Sequence, residues 1–324
     1  MPEMDVPLLD MYRTMLTIRR FEEECNYLFM QGRIPSTLHL YIGQEAVATG
    51  VCAHLGQKDY VLSTHRPHGH AIAKGVSLQS IMAELFAKKT GCCQGKGGSM
   101  HVGDMRVGAL PAIAIVGANI PIAAGLALAA KQLGTGQVTV AFFGDGAANT
   151  GAFHEGINMA AIWGVPVVYI CENNLYGAST PFSKVFRVKN VADRAAAYGI
   201  PGVVVDGMDV EAVYQAAGEA IARARQGMGP TLVECKTYRF VGHSRSDPRN
   251  YRSKEEENYW QQQDPIPRLA KRLKDMGLST DEKLALLDEE IHGKIEEAVA
   301  YAEASPSPEP TDALEHVFYE GGRA

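Results

Sequence analysis

The sequence predicts an α/β fold, a parallel sheet covered by helices on both faces with helical extensions at both ends, on three observations. Apolar runs of strand length alternate with helical segments through the middle of the chain. The two most apolar of these runs stop on Gly144-Asp145-Gly146 and on Asn173-Asn174, and in a parallel sheet the strand carboxyl ends form the ligand crevice. Both flanks carry helical rather than strand periodicity.

In chain order, Met11, Met15, Ile18, Phe21, Cys25, Leu28 and Phe29 follow a helical period over 10–32, with Gly32 where a stop belongs. From Thr37 to Gly117 Gly and His are frequent, and short helical pieces such as Ser77 to Ala87 lie between loops, the part of a fold that most often carries function. Ile122 to Leu133 reads as a small-residue helix. Val138 to Phe143 follows the turn Gly134-Thr135-Gly136 as a buried strand. A helix from about Asn149 to Trp163 and a strand from Val165 to Cys171 complete a strand–helix–strand unit. A short strand Val203 to Val205, a helix capped by Asp209 and running to Gln226, and a strand Thr231 to Phe240 continue the alternation. Beyond the polar segment 247–257, helices are expected near 255–276 and 282–304, broken by Pro306, Pro308 and Pro310. No internal repeat or low-complexity linker intervenes. One domain is expected, with its core over about 35–245, an N-terminal helix over 10–32 and a C-terminal helical extension over about 254–324.

Composition narrows the function. With 324 residues, 46% hydrophobic and 21% charged, the chain is globular, not disordered. Lys+Arg 31 against Asp+Glu 37 leaves a net charge of −6, so nothing overall directs it to nucleic acid or an anionic membrane. The longest strongly apolar stretch, Ala112 to Ala130, is Ala- and Gly-rich and broken by Pro121, and no membrane span is expected. MPEMDVPLLD lacks the basic start and apolar core of an export signal, and a cytoplasmic location is expected. The 6 cysteines include no C-x-x-C pair, and adjacency strains a bridge between Cys92 and Cys93, so reduced thiols and no structural zinc site are expected.

The strand-end residues carry the chemistry. The 26 residues from 147 to 172 between GDG and NN leave room for one helix and one strand, which returns the chain to the same sheet edge. A carboxylate (Asp145), an amide oxygen (Asn174) and a nearby backbone carbonyl form a hard, incomplete oxygen set, the kind Mg²⁺ uses when phosphate oxygens and water complete its shell. Taken singly, GDG is a tight turn and NN a loop cap. Paired at this spacing behind two strands, they indicate a Mg²⁺–diphosphate site.

The GDG–NN pair resembles the binding motif of thiamine-diphosphate enzymes. Over nearly the whole length the chain is similar to the alpha subunits of the two-chain 2-oxo acid and acetoin dehydrogenase complexes. The resemblance runs through His39-Leu-Tyr-Ile-Gly-Gln-Glu-Ala46, Gly95-Lys-Gly-Gly-Ser-Met-His101, GDGAANTG, CENNLYG and Gly242-His-Ser-Arg-Ser-Asp-Pro248. It implies the thiamine-diphosphate-binding fold, with Asp145, Asn174 and the main-chain carbonyl of Tyr176 on Mg²⁺, and Gly146 and Ala147 approaching the diphosphate. It implies Arg66 and His243 on diphosphate oxygens, His65 where pyruvate-type enzymes commonly carry tyrosine, and Val116 where the backbone meets the aminopyrimidine. His39 and His243 are implied at the reacting centre or the lipoyl-transfer step, whereas His68 and His70 read as surface or hydrogen-bonded core residues.

The chain departs from the family pattern in Ala112-Ile-Ala-Ile-Val-Gly117, where Ala114 occupies the usual glycine position. The glutamate that protonates the pyrimidine lies, in the resembled family, on a beta subunit. Glu45 has no argument placing it there, so an alpha-two-beta-two heterotetramer is expected, with a lipoyl acyltransferase as acyl acceptor. The segments Ser63 to Gly75 and Ser244 to Arg252 resemble the acetoin branch, which is favoured over pyruvate and over branched-chain 2-oxo acids. Two other classes fit the residues less well. A catalytically silent cofactor-binding regulatory subunit is opposed by the joint presence of Asp145, Asn174, Arg66, His39 and His243. A nicotinamide-binding protein is opposed by the absence of G-x-G-x-x-G order after the strand.

Overall fold

The computed structural model describes residues 6–318; residues 1–5 and 319–324, the latter the end of the expected C-terminal extension, lie outside the described residues. The elements in chain order are α1 (Leu8–Met30), α2 (Glu45–Cys52), β1 (Tyr60–Leu62), α3 (His68–Lys74), α4 (Leu78–Leu85), α5 (Asn119–Leu133), β2 (Thr139–Gly144), α6 (Gly151–Trp163) and β3 (Val167–Asn173). There follow β4 (Tyr176–Gly177), β5 (Thr180–Pro181), α7 (Phe182–Val185), β6 (Gly202–Asp206), α8 (Val210–Arg225), β7 (Thr231–Lys236), α9 (Lys254–Gln261), α10 (Pro265–Asp275) and α11 (Asp281–Ala304).

Side-chain alternation builds the layers. The sheet runs β1-β2-β3-β7-β6 with every pair parallel. In register, Ala141, Tyr169 and Leu232 stand side by side and pack with α5 and α6, while Phe142, Ile170 and Val233 point the other way and pack with α2 and α8. Both faces are therefore covered, which is why β2 and β3 read as continuous apolar runs. A separate core joins the two ends of the chain: Met11, Met15 and Leu28 of α1 pack with Ile81 and Leu85 of α4, Leu269 and Leu273 of α10, and Ile291 and Ile295 of α11. Ion pairs brace it. Arg19 meets Asp264 at 2.9 Å and Arg20 meets Asp288 at 2.7 Å.

Several boundaries differ from the sequence expectation. The helix expected over 255–276 is two helices, because Pro265 starts α10 and the Asp264 side chain caps it by accepting from the Ile266 N–H. The strand expected to run to Phe240 ends at Lys236, and Thr237 to Phe240 leave the sheet as a loop. Helix α5 begins at Asn119, three residues early, since Pro121 falls in its first turn, where no N–H is missed. The region 37–117, read mainly as loops, contains α2, α3 and the edge strand β1.

The Gly-rich segment 91–98 is held by a buried carboxylate. Glu84 accepts from the backbone N–H groups of Cys93 (2.8 Å), Gly95 (2.9 Å), Gly97 (2.8 Å) and Gly98 (2.9 Å). Gly95 (φ +74°) and Gly98 (φ +64°) adopt the left-handed conformation that lets these amides converge. His101 Nδ1, just beyond, bonds the Ala112 carbonyl at 2.9 Å and so ties this loop to the 112–117 segment. All six cysteines are free. Among the described residues, no helix is long and apolar enough to cross a membrane.

Candidate active site

The strand ends deliver the acidic and amide groups. After β2 the chain makes a tight 3₁₀ turn, Asp145–Asn149, that buries Asp145 to 1% exposure. At the end of β3, Asn173 and Asn174 diverge in role. Asn173 donates to Glu234 at 2.7 Å and secures the sheet, while Asn174 lines the cavity. Their side-chain oxygens accept from the N–H groups two residues on, Leu175 at 3.2 Å and Tyr176 at 3.3 Å. Leu175 between them has φ +72°, a left-handed conformation that costs about 1–3 kcal/mol and persists only where surroundings enforce it. Gly146 then lies against Gly177, and a Cβ on Gly146 would stand 3.3 Å from the Gly177 Cα.

These groups open on one cavity of about 320 Å³, a size suited to a small-molecule cofactor. Its lining includes Gln44, His65, Arg66, Val116, Asp145, Gly146, Ala147, Glu172, Asn174, Tyr176, Arg239 and His243. Arg66 is fixed by bonds to the Leu40 carbonyl and, at 2.9 Å, to the His243 carbonyl. A guanidinium has five N–H donors, so others remain for an anion. Burial and the neighbouring Arg239 pull Arg66 down to about 9, and it stays charged at neutral pH. Burial pushes the Asp145 carboxyl up to about 7, and its Oδ2 is buried without a partner. That is an environment a cation would satisfy.

His39, His65 and His243 form a triangle with ring centroids 4.9, 5.1 and 5.2 Å apart. His39 does not line the cavity and touches it through the other two rings. Burial, then Arg66, lowers all three, to about 3 for His39, about 2 for His65 and about 4 for His243. Although their nitrogens lie close enough to hold a metal, two guanidinium groups beside neutral imidazoles favour an anion instead. The folded values lie below that of an unfolded histidine, about 6.5, so the unfolded chain binds more protons in between. The stability they confer is full above about pH 6.5 and is lost as pH falls. Thermal unfolding from pH 8 to pH 5 should show a falling midpoint, and His65→Gln should flatten that fall; an unchanged slope would show the triangle not to be held neutral.

Of the residues expected from sequence, all but His39 line this one cavity, and Val116 does so with 55% exposure. Glu45, left unassigned, is fully buried and accepts from Arg19 Nε at 2.6 Å, which makes it an anchor of α1. His68 is fully buried and bonded to Glu22 (3.1 Å) and Ser99 (3.0 Å), and His70 to Ser63 (2.7 Å) and Glu172 (3.1 Å). Gln44, Glu172 and Arg239 are among the cavity residues that the sequence reading does not assign. Gln44 lies in the His39–Ala46 motif and Glu172 in CENNLYG, neither with a role of its own, and Arg239 falls inside the strand expected to run to Phe240.

A parallel sheet that gathers a buried carboxylate, an amide and a charged guanidinium at its strand ends defines an α/β protein whose strand-end cavity has the groups to take an anionic ligand. The family model described as dehydrogenase E1 component matches residues 13–311. The chain is 50% identical over 315 residues to the alpha subunit of acetoin:2,6-dichlorophenolindophenol oxidoreductase from Bacillus subtilis (strain 168), covering 96% of this chain and 94% of that protein. It is 46% identical to the protein of the same name from Cupriavidus necator, with the same coverage. It is 44% identical to the chloroplastic pyruvate dehydrogenase E1 component subunit alpha-3 of Oryza sativa subsp. japonica, covering 96% of this chain and 75% of that one. The chain belongs to the dehydrogenase E1 component family, which makes it an oxidoreductase subunit and implies thiamine diphosphate as cofactor.

Proposed function

We propose that this chain is the alpha subunit of an acetoin-cleaving dehydrogenase that binds thiamine diphosphate with Mg²⁺ and passes the acetyl unit to a lipoyl group on a separate acyltransferase. The observation that carries the substrate is the 50% and 46% identity to alpha subunits whose names specify acetoin, against 44% for the pyruvate relative. A cytoplasmic, alpha-two-beta-two assembly completes the reading.

In this reading Asp145, Asn174 and the Tyr176 carbonyl hold Mg²⁺, and the unpartnered Asp145 Oδ2 gains its missing partner. Gly146 and Ala147 bring backbone close to the diphosphate, whose charge Arg66 and His243 share with the metal. Val116 walls the aminopyrimidine end, and His65, which lines the same cavity beside Arg66, contacts the cofactor. Thiamine diphosphate, when bound there, would supply carbanion chemistry toward a carbonyl substrate. The imidazoles of His39 and His243, each with a buried Nδ1 that has no protein partner, move protons near that centre. A diphosphate beside them raises their pKa values toward neutrality.

The test is dye reduction by the chain assembled with a beta-type partner, with acetoin and with pyruvate. Acetoin should give the higher kcat/KM by about tenfold or more, a margin that a few pocket contacts supply. A preference for pyruvate would move the chain to that branch. His39→Ala and His243→Ala should each lower kcat by about 10²–10⁴-fold, with His39→Ala leaving cofactor affinity nearly unchanged. Normal turnover in both variants would return these histidines to a packing role.

A further inference from the structure

The Tyr176 backbone N–H donates to Asn174 Oδ1 at 3.3 Å, and a backbone N–H cannot exchange its donor role. That bond turns the Asn174 NH₂ group toward Gln44, where it donates to Oε1 at 3.0 Å. The second bond in turn orients Gln44, leaving its Nε2 buried and without a protein partner in a residue that lines the cavity. Neither side chain can swing away into water, at 1% exposure for Gln44 and 8% for Asn174. Gln44 is itself fixed at the entry to α2, where its N–H meets the Tyr41 carbonyl at 3.1 Å and its carbonyl accepts from the Val47 N–H at 3.0 Å. The chain thus spends two hydrogen bonds on the orientation of one amide.

We infer that Gln44 is the positioning residue for the metal ligand Asn174: it keeps the amide from turning its NH₂ toward the cation. The inference rests on the Mg²⁺–diphosphate reading above. Amide oxygen and nitrogen are nearly the same size, so a flip costs nothing sterically, yet it replaces a ligand oxygen with a donor that repels a cation. Partners that orient a metal ligand typically account for 10–100-fold in metal affinity, and the Tyr176 N–H retains part of the orienting effect, which places Gln44 near the lower figure.

The experiment titrates Mg²⁺ into the assembled enzyme at saturating thiamine diphosphate and reads cofactor binding by calorimetry, with no turnover involved. Gln44→Met removes the acceptor and should raise the Mg²⁺ requirement about tenfold. Gln44→Glu keeps an acceptor for the Asn174 NH₂ and should stay within about threefold of wild type. In an Asn174→Asp background, where the ligand has no wrong face, Gln44→Met should cost less than about twofold. The role is overturned by Gln44→Met leaving the Mg²⁺ requirement unchanged, by Gln44→Glu raising it as much as Gln44→Met does, or by Gln44→Met costing the same in both backgrounds. Cofactor binding by the wild type that ignores Mg²⁺ would remove the metal site itself, a failure of the parent reading that is visible before any variant is made.

Discussion

Asp145→Ala is expected to abolish retention of thiamine diphosphate by the assembled protein while leaving the fold intact. The affinity loss should exceed about 100-fold, beyond what changes outside the ligand shell produce. The stability expectation has the opposite sign. Asp145 is buried with Oδ2 unpartnered, and removing an unsatisfied buried polar group relieves a penalty of about 1–3 kcal/mol. In the absence of metal and cofactor the variant should therefore unfold at the same temperature as wild type or a higher one. Differential scanning calorimetry and retention through gel filtration check the two halves together. A destabilised variant that still retained cofactor would mark Asp145 as a fold residue.

The second large effect concerns the half of the site proposed to come from a beta-type partner. The chain alone should show no turnover of acetoin or pyruvate, and adding a beta-type partner should raise the rate by more than about 10³-fold, the scale expected when proton transfer and placement are both restored. Two structural observations support this. Glu45, a carboxylate in one of the resemblance motifs, is committed to Arg19 inside the protein and cannot serve a bound pyrimidine. Next to the cavity, Ile115 is 72% exposed and Val116 55%, while Ile122 of α5 and Ile162 of α6 also face outward, an apolar surface that a partner would cover. Stopped assays on the separate and mixed chains measure it. Full activity from the single chain would contradict a shared site.

How much of this was legible in the sequence depended on the kind of signal. Strands β2 and β3 announced themselves because sheet interiors demand unbroken apolar runs, and Asp145 and Asn174 followed from where those runs stop. Asp209 was recognisable as a cap and accepts from the Glu211 and Ala212 N–H groups. Strand β1 was not legible, since three residues at the edge of a sheet carry too little pattern. Nor was α2, whose eight residues are all buried and so show no polar face. Arg239 and Gln44 were missed for a different reason. Their importance lies in contacts between segments far apart in the chain, Gln44 with Asn174 and Arg239 with Ala178 and Tyr251, which no local periodicity encodes. Glu84 is the same case: one glutamate in an ordinary helix closes a glycine loop over four amides.

The central claim, that this chain holds the metal and diphosphate half of a shared cofactor site, is tested most directly by calorimetric titration of thiamine diphosphate into the wild-type assembly with and without Mg²⁺. The account predicts saturable binding, one cofactor for each alpha chain, that requires the divalent ion and disappears in Asp145→Ala. Binding of equal strength in the presence of a chelator, or saturable binding by the Asp145→Ala assembly, would contradict it.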